Sequence, residues 1–236
     1  MFKSLTTLVE KDLPIKVMVG AEQLLSSTPE LGADETPSGP EPGYTYIKPN
    51  VPYCPVVLLG NTEEGGKVYS CLISSVITGL QEYFNLLETL YSLEEKDTMY
   101  IYVNSPGGLV STGSAIASMI EECKGKIITC ATGVCASAGS LIWSAGHECH
   151  AAPFAVFMYH MSSHFAQGNS RMIEQEAAAM VEFVRTVFLR AALEKGHLTE
   201  EEVNTISSET DRDVWINAPD MLQRIANSAT PASEDN

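Results

Sequence analysis

The chain has 236 residues, 44% hydrophobic and 19% charged, enough for one large globular domain with extensions and a substantial core. Thirty acidic residues against 14 basic ones give a formal net charge of −16. That balance excludes sequence-independent binding to nucleic acid, which needs basic surface to displace counterions, and its plain consequence is solubility.

Residues 1–25 begin MFKSLTTLVEKDLPIKVMVG, an N-terminal extension whose charges interrupt any long apolar core, unlike a signal peptide. Residues 26–50 open with SSTPELGADETPSGPEPG, a composition too polar and too rich in Pro and Gly to build a core, which predicts a flexible linker. The main domain is expected over 51–227, with a disordered tail, SATPASEDN, at 228–236. Inside the domain, VYSCLIS (68–74) predicts a strand. The stretch GLQEYFNLLETLYSL (79–93) carries Leu80, Tyr83, Phe84, Leu87 and Leu90 at helical spacing. A buried strand, MYIYVNSPGG (99–108), ends in a turn, and SAIASMIEECKG (114–125) predicts a helix closed by Gly125. KIITCATG (126–133) is the next strand, and Ser137 begins the next helix. AVFMYHMSS (155–163) predicts a strand, and 172–196 a long helix stopped by Gly196. LTEEEVNTISS starts a further helix with Thr199 as N-cap. Strands alternating with helices predict an α/β fold with a mostly parallel sheet.

Six cysteines, at 54, 71, 123, 130, 135 and 149, form no C-x-x-C pair, and four lie in apolar segments, which points to a reducing compartment. No apolar run reaches membrane-spanning length, so a cytoplasmic protein is expected. HECH (147–150) clusters His147, Cys149 and His150 too compactly for a tetrahedral zinc site and predicts a surface loop.

Four local signals bear on chemistry. NSPGG (104–108) follows a strand, and its glycines let backbone N–H groups face a cavity; alone, it reads as a tight turn. GVCASAG (133–139) sets Ser137 among small residues, which alone read as close backbone packing; a serine there becomes a nucleophile only beside a base. His160, in FMYHMSS, ends an apolar strand beside the Ser137 strand and ranks ahead of His147, His150, His164 and His197 as that base. TDRD (210–213) places acids before an apolar segment, as a cap, a surface charge or the orienting member of a triad. Each alone is weak, but in this order they point to a serine hydrolase.

The run MYIYVNSPGGLVSTGSAIASMIEECKGKIITCATGVCASAGSLIWSAG, then FMYHMSS, then ETDRDVWINAPD, resembles the ClpP family of self-compartmentalised serine peptidases over roughly residues 68–222. The resemblance implies a ClpP/crotonase-like β-α superhelix with a protruding handle helix over about 172–196. It implies Ser137 as nucleophile, His160 as general base and Asp213 as the acid that orients it, with Gly108 and Ala138 giving the oxyanion-hole N–H groups. Leu109, Ser162 and Ser163 fall along the peptide groove, and Arg212 at a position that helps pair two rings. It further implies heptameric rings, usually stacked in pairs, fed by a hexameric ATP-driven (AAA+) unfoldase. No metal and no organic cofactor is expected. ATP would belong to the partner, since no GxxxxGK[ST] loop occurs. Cys135 and Ala138 stand where the family commonly has Ala and Met, and residues 1–50 do not match its axial loops.

Three other readings share parts of this pattern. A phage-type head-maturation protease keeps the fold and a histidine. A catalytically idle ring subunit would keep the fold without the activity. An acyl-CoA-binding crotonase needs only the glycine loop. A serine–lysine signal-peptide peptidase is disfavoured, because no lysine lies between Ser137 and His160.

Overall fold

The structure, a computed structural model, describes residues 54–161, 169–207 and 212–229. The expected N-terminal extension, the whole linker and the tail beyond Ala229 lie outside these residues.

Strand β1 (Val56–Asn61) runs antiparallel to β2 (Lys67–Ser74) at one edge of a seven-stranded sheet. A 3-10 turn, Leu80–Tyr83, leads into α1 (Phe84–Ser92), and β3 (Thr98–Ser105) then pairs parallel with β2. Asp97 fixes the start of this pair: its carboxylate accepts from Lys67 N at 2.7 Å and Glu94 N at 2.9 Å, which holds it below its ordinary pKa. Helix α2 (Val110–Glu121) starts four residues before the expected position and ends before Gly125, because the preceding loop is complete at Leu109.

The long β4 (Lys126–Ala136) pairs with β3 on one side and serves two strands on the other. Its first half takes β5 (Glu148–Ala151), so the HECH segment forms a parallel strand where a surface loop was expected. Its second half takes β6 (Val156–Tyr159), with Ala136 opposite Met158. Between β4 and β5 comes α3 (Ala138–Ala145), with all eight residues buried, so the Ser137 turn is backed by solid core. The strand carrying His160 ends at Tyr159, short of the expected 163, and β7 (Val214–Asn217) closes the sheet antiparallel to β6.

The long helix is one rod of three conformations: α4 (Ser170–Phe183), a π-helical turn (Val184–Leu189) and α5 (Arg190–Glu194). Helix α6 (Glu200–Ser207) begins with a reciprocal cap. Glu202 N donates to Thr199 Oγ1 at 3.2 Å, and Thr199 N donates to the Glu202 carboxylate at 2.9 Å. Helix α7 (Ala218–Ala229) runs two residues past the expected domain end at 227.

Core residues alternate along the strands. Met99, Ile101 and Val103 of β3 are fully buried, while Tyr100 and Tyr102 between them are only partly covered. Trp143 of α3 is fully buried against Phe157, ring centroids 4.4 Å apart and planes tilted by 48°, with its indole N–H donating to His150 O at 2.9 Å. Removing such a ring from a core costs roughly 3–5 kcal/mol. Among the described residues, no helix is long and apolar enough to cross a membrane.

Candidate active site

Parallel strands deliver their following loops to one edge, and ligand sites form outside the carboxyl ends of such strands. Three segments meet there: the turn after β3, the turn after β4 and the end of β6.

The turn after β3 is Pro106-Gly107-Gly108-Leu109. Ser105 anchors it: its buried hydroxyl donates to Ser75 O at 2.6 Å and accepts from Gly107 N at 3.0 Å. Ile77 then pairs across it, Ile77 N donating to Gly107 O and Leu109 N donating to Ile77 O, both at 2.8 Å. That bridge turns the N–H of Gly108 to the side opposite Ile77. Both glycines are required. Gly107 has φ +96, and a Cβ there would lie 2.7 Å from Ser137 Cβ; at Gly108, φ +149, it would lie 2.1 Å from Ile77 O.

The turn after β4 is Ser137, with φ 54 and ψ −124, a conformation that non-glycine residues rarely hold. Ser137 N donates to Met158 O at 2.9 Å, tying the turn to β6. The geometry makes Ser137 the N-cap of α3 and Ala138 its first helical residue, so the Ala138 N–H has no acceptor within the helix. Upstream, the Asn104 side chain accepts from Val134 N at 3.0 Å and steers the last residues of β4.

His160 directly follows β6. Its Nε2 lies 2.8 Å from Ser137 Oγ. Its Nδ1 faces Asp213 Oδ1 at 4.0 Å, an ion-pair distance longer than a hydrogen bond. Asp213 is about half exposed, at the start of β7. Cys135, two residues before Ser137, is no rival nucleophile: burial above all pushes its thiol well up, so it stays protonated.

Ser137 and His160 line an open cleft of about 570 Å³ together with Val76, Thr78, Gly108 and Leu109. Leu109, expected along the groove, is half exposed at its wall. Ser162 and Ser163 lie outside the described residues. Arg212 is exposed beside Asp213. The segment 75–79 escapes sequence reasoning, because only its bridge to Gly108 brings it to the cleft. A narrow crevice beside Ser137 is lined by Ala138, Leu141, Val184 and Phe188; the last two come from the π-helical turn. Among the described residues, no group of three or more His, Cys, Asp or Glu side chains is arranged to hold a metal ion.

The Clp protease family profile matches residues 73–224. The chain is 34% identical over 142 residues to the ATP-dependent Clp protease proteolytic subunit 2 of Pseudomonas aeruginosa, covering 58% of this chain and 67% of that protein. It is 34% identical over 142 residues to proteolytic subunit 3 of Rhizobium meliloti, covering 56% and 69% respectively. Among solved structures it is similar to a point mutant of ClpP1 from Listeria monocytogenes, with a TM-score of 0.54 and 26% identity, covering 66% of this chain and 86% of that one. The α/β sheet with its long helix is thus the ClpP fold, and the chain belongs to the Clp protease family.

Proposed function

We propose that the chain is a serine endopeptidase that cleaves unfolded polypeptides or peptides through an acyl-enzyme. The observation that carries this reading is the 2.8 Å contact between His160 Nε2 and Ser137 Oγ, made at a strained strand-to-helix turn inside a cleft. In this mechanism His160 takes the Ser137 proton as Oγ attacks the peptide carbonyl. The tetrahedral oxyanion is held by the N–H groups of Gly108 and Ala138; losing one such donor costs roughly a hundred- to a thousandfold. His160 then protonates the leaving amine, and water, deprotonated by the same ring, hydrolyses the ester. Asp213 closes on His160 Nδ1 when substrate is bound, since catalytic contacts often tighten only in the Michaelis complex. The chemistry asks for no metal or organic cofactor.

The assembly under this reading is a heptameric ring, stacked in pairs around a chamber and fed by an AAA+ unfoldase that supplies the ATP step. Exposed apolar side chains such as Leu72, Phe84 and Tyr91, 46%, 58% and 86% accessible, support burial against further copies.

The test is hydrolysis of a short fluorogenic peptide, and labelling by a serine-directed phosphonate, for the wild type and Ser137→Ala, beside the mass by light scattering. Cleavage and labelling by the wild type alone, at the mass of a ring, is the expected result. A ring-sized wild type that neither cleaves nor labels would leave an idle ring subunit and overturn the peptidase reading.

A further inference from the structure

Ser137 and His160 sit on different strands, and their 2.8 Å contact depends on how the β4 turn meets the end of β6. The ladder between these strands is short: three residue pairs, ending at Ala136 opposite Met158. A second connection crosses the same junction. Ser140, in the first turn of α3, is completely buried, with its hydroxyl 2.7 Å from Cys135 O and 3.0 Å from Met158 O. Those carbonyls belong to the two strands that must be held together. Met158 O is also the acceptor of the Ser137 N–H, and it lies two residues before His160.

Packing alone does not require a hydroxyl here. The neighbours along α3 are Ala138, Gly139 and Leu141, and an alanine would fill almost the same volume. A polar atom placed in a core is unfavourable unless it is hydrogen-bonded. Nor does Ser140 use the acceptor common for a helical serine, the carbonyl four residues back, which is that of Ala136. It reaches the strand residue Cys135 and, across the sheet, Met158. With one proton and two acceptors, the hydroxyl spans the junction.

We propose that Ser140 is a positioning residue for the Ser137–His160 pair: it braces Cys135 O and Met158 O, and so sets the separation of nucleophile and base. This rests on the peptidase reading of those two residues, and the experiment separates the two claims.

The variants are Ser140→Ala, which removes the donor, and Ser140→Cys, near in size with a weaker donor, both in the full chain. Three quantities are measured: exchange of the Ser137 amide hydrogen, the rate of phosphonate labelling, and kcat and KM on the fluorogenic peptide. For Ser140→Ala the Ser137 amide exchanges about tenfold faster than in the wild type, the factor carried by one typical hydrogen bond. Labelling and kcat fall by about the same factor with KM within about twofold, as befits a lost alignment rather than lost binding. Ser140→Cys falls in between. The proposal is overturned if Ser137 exchange and labelling in Ser140→Ala stay within twofold of the wild type. It is equally overturned if all core amides speed up as much as Ser137, which would make Ser140 merely structural. If the wild type itself neither labels nor cleaves, the peptidase reading fails, and Ser137 exchange alone decides whether Ser140 braces the turn.

Discussion

Acid should destabilise this fold through His197 before it reaches the surface carboxylates. The residue is 3% exposed, its ring packed at a tilt against Trp143 with centroids 4.7 Å apart and Nδ1 3.1 Å from Ser144 Oγ. Burial first, then the positive charges of Lys195 and Arg224, lower its pKa from the ordinary 6.5 to about 4. Arg224 is fixed beside it, donating to His197 O at 2.8 Å while bound to the Glu202 carboxylate. A depressed histidine pKa means that the unfolded chain binds the proton first. The stability it confers is therefore complete above the unfolded value and is lost as pH falls from 6.5 towards 4. The loss amounts to about 2 kcal/mol at about pH 5 and about 3 kcal/mol once both states are protonated. For a domain of this size that is a fall in Tm of roughly 4–8 °C by about pH 5. The assay is thermal unfolding across this window for the wild type and His197→Phe, which keeps a ring on Trp143 but cannot take the proton. The variant should show a flatter acid limb by that amount, whatever its stability at neutral pH. Parallel limbs in the two proteins would refute the reasoning.

Two further substitutions test the site. Gly107→Ala combines φ +96 with a Cβ 2.7 Å from Ser137 Cβ, so it should lower stability by roughly 1–3 kcal/mol and cut phosphonate labelling by more than about a hundredfold, read by melting and labelling rate. Asp213→Ala should lower kcat by roughly a hundredfold or more with KM little changed and the fold intact; a kcat within about threefold of the wild type would remove the acid from the mechanism.

The sequence made the centre of the sheet legible because strands such as 68–74, 99–105 and 126–133 combine β-branched and aromatic residues with turn signals. Ser137 and His160 were legible for a related reason: each directly follows a strong strand, and adjacent parallel strands bring such positions together. The elements that escaped are defined by partners far along the chain. Glu-Cys-His-Ala at 148–151 has no strand pattern of its own and is extended because Ile128–Ala131 pairs with it. The residues 75–79 wall the cleft only through the bridge between Ile77 and Gly108. In 184–189 the apolar spacing announces a helix, but not the extra residue per turn that carries Val184 and Phe188 to the crevice beside Ser137. Asp213 is the least determined: the residues alone leave the TDRD acids as a cap, a surface charge or a triad member, only the resemblance singles out Asp213, and its 4.0 Å separation from His160 depends on how an edge strand sits.

That contrast divides the site into a fixed half and an adjustable half. The strain at Ser137, of the order of 1–3 kcal/mol for such a backbone, persists only where the surroundings over-determine it. Here they do: the turn is held by Ser137 N on Met158 O at 2.9 Å, backed by a wholly buried α3, and packed against Gly107 with no room for a Cβ. The same turn aims Oγ at His160 and makes Ala138 the first helical residue of α3, so under the proposed mechanism nucleophile and oxyanion donor are set by one backbone conformation. Asp213 is held differently: it is exposed just before the last strand of the sheet, beyond hydrogen-bond distance of the ring it faces. A small displacement of β7 would alter the His160–Asp213 contact while leaving the Ser137–His160 contact almost untouched. Changes that act on β7 should therefore move kcat more than phosphonate labelling. Labelling needs only an aligned Ser137 and His160, whereas full turnover also needs the imidazolium stabilised through both steps.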